Sequence, residues 1–403
     1  MNQAVSTSRE LEAPGIGSGS PSASQPFPQI PGRFYRPELD VVRFLAFFLV
    51  YLYHSLPHFP SVTTASLPMQ VALVLCTFVQ ASGFGLSLFF TLSAYLICEL
   101  LLRERAATGA VQAKQFYIRR ILRIWPLYFA GLTIGLAYAY LVGGDPSAVS
   151  WAAWSAILLG NWWVTLHGFA GGPMGVLWSI SVEEQFYLFA PWAIKCFSRW
   201  SLRAFGLVLI VTANAWLFFL GRVRVPELAI WTNSFVQFEN FAAGLLLCLA
   251  LRDRSIRIPV WTRFLLLATC ATFWYYACKG FNVHYPGNVG PGSWQLIGGY
   301  GLAALGCCCL IVAFLGLDRK VLPRWTIYLG RISYGLYVFH LLSNQIVGSV
   351  FPHHSSFGGI TMIIKGTCGL GLTILLASLS YRYFETPFLR MKKRHEVIES
   401  RPI

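Results

Sequence analysis

The sequence predicts an all-α fold: a polytopic membrane helix bundle of about ten transmembrane helices plus one re-entrant or interfacial segment. Of 403 residues, 56% are apolar and only 12% are charged, and the mean hydropathy is +0.57. A typical soluble domain has roughly 25% charged residues. Apolar runs of about 20 residues, the length that crosses a bilayer, recur between Leu39 and Tyr381. We therefore expect the bilayer to surround most of the chain.

The basic residues give a net charge of +15 at pH 7 and fall into six short clusters between apolar runs. Because Lys and Arg concentrate in cytoplasmic loops, this placement predicts that all six clusters and both chain ends are cytoplasmic, and it disfavours nucleic acid as a partner. The clusters, which hold 27 of the 31 basic residues, are the region up to Arg43, Arg103 to Arg123, Lys195 to Arg203, Arg252 to Arg263, Arg319 to Arg331, and Arg382 to Arg401.

An even number of spans must separate two neighbouring cytoplasmic clusters, and ten apolar runs satisfy this rule. They cover roughly residues 39–56, 84–102, 121–142, 178–197, 204–220, 232–251, 263–279, 296–316, 332–351 and 359–381.

The stretch from Trp151 to Thr165 would break this parity if it crossed the membrane. Three tryptophans among its first twelve residues suit the headgroup level of a bilayer or a segment folded into a cavity. We therefore predict a re-entrant or interfacial segment, and a short eleventh span is the alternative.

The predicted domain organisation is a disordered cytoplasmic tail (1–37), a transmembrane domain (38–390) and a basic cytoplasmic tail (391–403). The Pro-, Ser- and Gly-rich first segment lacks the apolar core of a cleaved signal peptide, and we expect no appended esterase-like domain. The ten cysteines lie mostly inside apolar runs without ligand spacing, which predicts buried thiols, no disulfides and no metal.

Ionisable residues inside a span are costly, so each is a candidate for function. In the first run, Arg43 and His54 are eleven residues apart, which places both on one helix face about 16 Å apart. They can line one cavity. The alternatives are that His54 is a structural group and that Asp40 with Arg43 is a surface ion pair.

The run from residue 178 brings Glu183 and Glu184 near its start. Counted inward, Glu183 and His54 reach a similar depth, and a carboxylate beside an imidazole suits a general base. Helix capping by Ser181, with the two acids in the first turn, is the alternative, and Glu184 is expected only to cap.

Arg120 and Arg123 share one helix face before the third span. Two guanidinium groups so placed form a fork suited to phosphate. The alternative is that they set the topology and meet anionic lipid.

Taken in order, these segments resemble the acyltransferase-3 family of integral membrane acyltransferases over residues 34 to 390. The similar motifs are Leu39-Asp40 with Arg43 and His54; Phe89-Phe90-Thr91-Leu92-Ser93; Arg120 and Arg123 followed by Trp125-Pro126; Trp178 to Tyr187, which contains Glu183; Ile332 to His340; and Tyr381-Arg382 with Glu385-Thr386-Pro387.

The resemblance implies acyl transfer from a cytoplasmic acyl-CoA, commonly acetyl-CoA, to a hydroxyl of a carbohydrate-containing or small-molecule acceptor. Acyl-CoA would be a co-substrate, with no tightly bound cofactor. A hydroxyl needs a base to take its proton, which we assign to His54 with Glu183 in support. Arg120 and Arg123 would hold the CoA phosphates, while Arg43 would meet the CoA or stabilise the oxyanion.

Four further residues are expected to support this site: Asp40, Ser93, Tyr187 and His340. Ser93 could instead join helices, and His340 could be only a structural hydrogen-bonding group.

Two other functions stay open at this stage. A proton-coupled transporter also uses intramembrane His, Arg and Glu, although the sequence has no internal repeat. A relay that carries the acyl group across the membrane before transfer is compatible with His54 in the outer half of its helix. In each case the expected location is the cell (inner or plasma) membrane.

Overall fold

The computed structural model describes residues 34–58, 68–143, 145–170, 172–252, 254, 256–283, 291–351 and 358–398. These residues are largely helical and contain no β-strand. Most of the predicted N-terminal tail and residues 399–403 of the predicted C-terminal tail lie outside them.

The α-helices of the described part of the chain are numbered in chain order. They are α1 (Pro37–Ser55), α2 (Met69–Ser82), α3 (Gly85–Thr108), α4 (Ala113–Tyr138), α5 (Ala148–Ala156), α6 (Gly160–His167), α7 (Trp178–Cys196), α8 (Arg199–Val223), α9 (Glu227–Trp231), α10 (Ser234–Leu251), α11 (Val260–Lys279), α12 (Ser293–Phe314), α13 (Arg324–Arg331), α14 (Ser333–Val350), α15 (Gly358–Leu379) and α16 (Thr386–Lys393).

Each of the ten apolar runs falls on one long helix, namely α1, α3, α4, α7, α8, α10, α11, α12, α14 and α15. Six described helical stretches are long and apolar enough to cross a membrane, and they contain α3, α4, α8, α10, α12 and α15. Of the other four helices, α1, α7 and α14 carry many of the candidate site residues. Polar groups that face the bundle interior lower the mean hydropathy of such a helix. The number of helices that cross the membrane therefore stays a prediction.

The sequence analysis missed three helices that shape the bundle: α2, α13 and α16. Helix α2 leads through Gly83 and Phe84 into α3, so one helical stretch runs from Met69 to Thr108. Helix α13 packs against α1 so closely that a side chain at Gly330 would overlap the backbone of Asp40. Helix α16 packs against α4.

The stretch from 151 to 165 forms no single helix. It divides into α5 and α6, of nine and eight residues, each far shorter than the roughly 30 Å of a bilayer core. Leu158 sits at the break with φ of 62°. Its carbonyl accepts a hydrogen bond from Gln185, and Tyr128 donates to the carbonyl of Ser155. Side chains thus satisfy the irregular backbone, as a segment at membrane depth requires.

Contacts join residues from all six basic clusters at one end of the bundle. Arg105 donates to backbone carbonyls of the third cluster's region, Arg199 donates to Leu249, and Arg252 donates to Leu102. Arg331 reaches Tyr35, and Arg119 reaches His395. We call this the basic end. A shared end for the clusters is what the predicted topology requires, and its cytoplasmic location stays a prediction.

The cysteines are unpaired thiols, and six of them are buried. Cys196 and Cys368 are exposed, so the prediction of uniformly buried thiols is wrong for them. A helix of a membrane bundle turns one face outward, and an apolar run does not tell which of its residues lie on that face.

Candidate functional site

A strongly basic chamber opens at the basic end, where α1, α3, α4, α16 and the segment after α16 meet. It has a volume of about 90 Å³. Six basic side chains and one acid line it, so it is suited to an anion of several charges. These residues are Arg36, Arg43, Arg119, Arg120, Arg123, Lys392 and Asp40. We call this the outer chamber.

Asp40 fixes the α1 wall of the outer chamber. Its carboxylate accepts a hydrogen bond from Arg43 at 3.0 Å and one from Tyr35 at 2.9 Å. Burial is the main cause that raises the pKa of Tyr35, and the neighbouring Asp40 carboxylate raises this pKa further. The phenol therefore stays protonated and acts as the hydrogen-bond donor. The open choice between a surface ion pair and a cavity pair is thereby decided, because Asp40 is only 1% exposed.

A second cavity of about 100 Å³ continues inward from the outer chamber. Both cavities share Arg43, Arg120 and Arg123, so these three arginines stand at the junction. The inner lining adds polar and aromatic groups from α3, α7 and α14, including Phe89, Ser93, Ser179, Glu183, Tyr187 and Tyr337. We call this the inner chamber.

Helical spacing explains why α7 supplies so much of the inner chamber. Ser179, Glu183 and Tyr187 follow one another at intervals of four residues, which places them along one face of the helix. Tyr187 and Ser93 share a hydrogen bond of 2.6 Å that joins α7 to α3. Ser93 therefore does link helices, and it does so on the wall of the cavity.

The Arg120 guanidinium is held by aromatic rings at the junction. It lies 5.0 Å from the ring centre of Tyr187 and 5.5 Å from that of Phe116. Stacking on aromatic rings orients the planar group and leaves its edge for hydrogen bonds.

His54 and His340 form a hydrogen-bonded pair beyond the inner chamber. The Nδ1 atom of His54 is 3.3 Å from Nε2 of His340 and 2.9 Å from the carbonyl oxygen of Val50. The Nδ1 atom of His340 is 2.5 Å from the carbonyl oxygen of Tyr337. Because carbonyl oxygens only accept, both neutral rings carry their proton on Nδ1. Nε2 of His54 thus keeps its lone pair, as a general base must.

His340 is fully buried, whereas His54 is exposed. Tyr337 connects this pair to the inner chamber, since its ring contacts His340 while its hydroxyl bonds Ser179 at 2.7 Å. Tyr337 therefore contacts both the inner chamber and the histidine pair.

The predicted pairing of Glu183 with His54 is wrong. Glu183 hydrogen-bonds Ser93 and Tyr187 and interacts with Arg120 and Arg43, so its depth is that of Arg43, about three helical turns from His54. The reason lies in the segment before α7. Residues 173–177 are already buried, so α7 begins inside the bundle rather than at its surface.

The alternative in which Ser181 caps the helix is also wrong, as is the expectation that Glu184 only caps it. Helix α7 begins at Trp178, which places both residues inside it. Ser181 contacts the Tyr128 hydroxyl, and Glu184 accepts a hydrogen bond from the Trp125 indole at 3.1 Å.

The acyltransferase-3 family model, described as an acyltransferase domain, matches residues 36–382. The chain belongs to this acyltransferase family. The match covers all nine predicted site residues, and with the apolar helices it identifies a multi-pass membrane protein.

Curated relatives of this acyltransferase are O-acetyltransferases by name. "Peptidoglycan O-acetyltransferase OatA" of Listeria monocytogenes is 23% identical over 386 residues, 88% of this chain and 56% of that protein. "Putative peptidoglycan O-acetyltransferase YrhL" of Bacillus subtilis is 27% identical over 338 residues, 75% of this chain and 50% of that protein. A "Putative O-acetyltransferase" of Staphylococcus aureus strain COL is 24% identical over 324 residues, 75% and 52% respectively.

This acyltransferase spans about half the length of the curated relatives that it matches. No solved structure matches it.

The structure adds site residues that the sequence analysis missed, namely Tyr35, Arg119, Ser179, Tyr337 and Lys392. Arg119 belongs to the same basic cluster as Arg120 and Arg123, and no sequence feature distinguishes its role from the role of those two arginines. Lys392 stands in the segment taken for a tail, and it lies beyond the part that the family model matches.

Proposed function

We propose that this acyltransferase moves an acyl group, most simply acetyl, from acyl-CoA to a hydroxyl of a carbohydrate-containing acceptor. The observation that carries the proposal is the pair of chambers joined at Arg43, Arg120 and Arg123. A basic outer chamber suits the phosphates of CoA, and a narrow inner chamber suits the pantetheine arm and thioester.

The names of the curated relatives support the acetyl group and the carbohydrate acceptor. Family membership favours acyl transfer over the proton-coupled transport that the sequence left open.

In the proposed reaction, Nε2 of His54 takes the proton of the acceptor hydroxyl while the oxygen attacks the thioester carbonyl. The tetrahedral intermediate then collapses, the C–S bond breaks, and the CoA thiolate leaves and takes the proton from the imidazolium. His340 would orient the His54 ring. In this proposal, the acyl group reaches His54 by passing Tyr337, which lines the inner chamber and contacts His340.

Arg43 belongs with donor binding in this scheme. It lies with Arg120 and Arg123 and is about three turns from His54 along α1, too far to serve the same reacting atoms. Glu183 would balance the charge of these arginines. In the proposed orientation of the protein in the cell membrane, the basic end faces the cytoplasm, where acyl-CoA is available.

The first experiment uses the full chain in nanodiscs, with acetyl-CoA as donor and an oligomer of N-acetylglucosamine as acceptor. We expect His54→Ala to reduce turnover by about 10²- to 10⁴-fold, the contribution of a general base, and to keep acetyl-CoA binding. The double variant Arg120→Ala with Arg123→Ala should lose binding.

Two controls match these changes. His167→Ala removes an exposed histidine of α6, and Arg324→Ala with Arg390→Ala removes the same charge from exposed positions outside the chambers. Both should behave as wild type. Failure of the wild-type protein to bind acetyl-CoA, together with movement of a solute across vesicles, would replace this proposal by transport.

A further inference from the structure

The segment that follows the last long helix closes one side of the outer chamber. Lys392, near the end of α16, and Ile398, beyond it, both line this cavity. They lie outside residues 36–382, which the family model matches. Part of the basic chamber is therefore built from a portion of the chain to which the comparisons assign no role.

Specific contacts hold this segment against α4. Arg119 donates to the backbone carbonyl of His395 at 2.9 Å, and the His395 ring lies 2.8 Å from the side-chain oxygen of Gln115. Arg119 is itself fixed by a buried ion pair with Glu104 at 2.9 Å. Because α4 also carries Arg120 and Arg123, the position of Lys392 relative to these arginines is set by one helix.

The Lys392 ammonium lies close enough to Arg123 and Arg120 for electrostatic repulsion. It forms an ion pair with Glu396, which lies 3.1 Å away and about one turn further along the chain. A lysine has three N–H donors, of which this contact accounts for one. Holding a partly buried lysine beside two arginines costs free energy that a multiply charged anion offsets when it binds.

The order of residues along the two chambers indicates which phosphate Lys392 meets. Arg43, Arg120 and Arg123 line both chambers, whereas Lys392 lines only the outer one. A CoA thioester that enters with its reactive end first places its diphosphate near the junction and its adenosine 3′-phosphate in the outer chamber. The 3′-phosphate is a monoester, with a charge between about −1.5 and −2 at neutral pH.

We propose that Lys392 binds the 3′-phosphate of CoA, and that the segment 386–398 completes the donor site by presenting it. This inference rests on the proposed acyl-CoA donor. Two other basic residues line only the outer chamber: Arg119 is fixed by its buried ion pair with Glu104, and Arg36 lies 3.8 Å from Glu38.

The test compares CoA with 3′-dephospho-CoA by calorimetric titration of the full chain in nanodiscs. Wild type should bind CoA about tenfold more tightly, the contribution of one charge-assisted hydrogen bond. Lys392→Met keeps the aliphatic stem and removes the charge, so it should bind both ligands with the affinity that wild type has for 3′-dephospho-CoA. The control Lys393→Met alters the exposed neighbour and should retain the tenfold preference.

Each other outcome contradicts the assignment. Retention of the full preference in Lys392→Met, or an equal loss of affinity for both ligands, would show that Lys392 does not bind the 3′-phosphate and would leave the proposed donor intact. If wild type binds neither ligand, the proposed donor fails and this assignment fails with it. Lys392→Gln serves as a second variant, with the thermal midpoint measured to verify folding.

Discussion

At the residue scale, the hydrogen bonds of the histidine pair fix which nitrogen of His54 can accept a proton. Backbone carbonyls hold the Nδ1 atoms of both rings, so His340 can offer only the lone pair of its Nε2 to His54. A ring constrained in this way loses little entropy when it acts as a base. In the proposed reaction, His340 is thus a positioning residue that acts through His54.

This arrangement predicts how His340→Ala behaves. Losing one hydrogen bond to the proposed base should lower kcat roughly fivefold, since such a bond contributes about 1 kcal/mol, and should leave the KM for acetyl-CoA unchanged. The measurement is steady-state kinetics of wild type and variant in nanodiscs.

His340→Gln supplies the comparison that separates orientation from folding. Its amide oxygen can accept from Nδ1 of His54, so kcat should be partly restored. A rise in KM without a fall in kcat, or an equal loss in both variants at wild-type thermal midpoints, would argue against a positioning role.

At the element scale, close helix contacts set the positions of the site-bearing helices. Helix α10 packs on α3, and a side chain at Gly244 would overlap the carbonyl oxygen of Thr91. Two residues further along α3 is Ser93, whose hydroxyl bonds Tyr187. The glycine therefore permits the approach that keeps α3 in place beside the inner chamber.

Gly244→Ala should consequently destabilise the protein by about 1–3 kcal/mol, the usual cost of overpacking. The expected result is a lower midpoint in thermal unfolding, followed by size-exclusion chromatography in detergent. Gly371→Ala on α15 is the matched control, because no atom lies within 4 Å of its new methyl group. Equal midpoints for the two variants would contradict the tight α3–α10 contact.

Elements also show where counting along the chain fails. The prediction that Glu183 reaches the depth of His54 assumes that the helix of Glu183 begins at the membrane surface. Because the buried segment 173–177 precedes α7, Glu183 lies about three helical turns deeper than the count along the chain gives, beside Arg43. A linear count gives distance along a helix but not the point at which that helix enters the bundle.

At the scale of the whole molecule, the basic clusters and the divided segment α5–α6 together predict a topology. If α5 and α6 fold back without crossing, the residues on either side of them face the same side of the membrane. That side is opposite the basic end, and Cys196, at the end of α7, should face the cytoplasm.

Cysteine labelling with a membrane-impermeant maleimide tests this in intact cells, in a background without other exposed cysteines. Asp145→Cys and His167→Cys should both react from outside. Cys196, which is exposed at the end of α7, should react only after the membrane is permeabilised. Labelling of only one of the two introduced cysteines would indicate that the segment crosses the membrane.

The sequence by itself determined the helical membrane class, the ten long helices with their approximate bounds, and the family. These follow from apolar run length, charge clusters and motif order, all of which are local properties of the chain. It also named Arg43, Arg120, Arg123, Ser93, Glu183 and Tyr187, which the structure brings to the two chambers, because charged and polar groups inside apolar helices are conspicuous.

Only the tertiary structure decided which of these residues meet. It paired His54 with His340 rather than Glu183, grouped Arg43 with Arg120 and Arg123, and brought Lys392 of α16 to the outer chamber. Helix period and run length are encoded along the chain, whereas rotation, depth and lateral neighbours arise from packing between helices far apart in sequence. For that reason the components of the site could be predicted, and their partners could not.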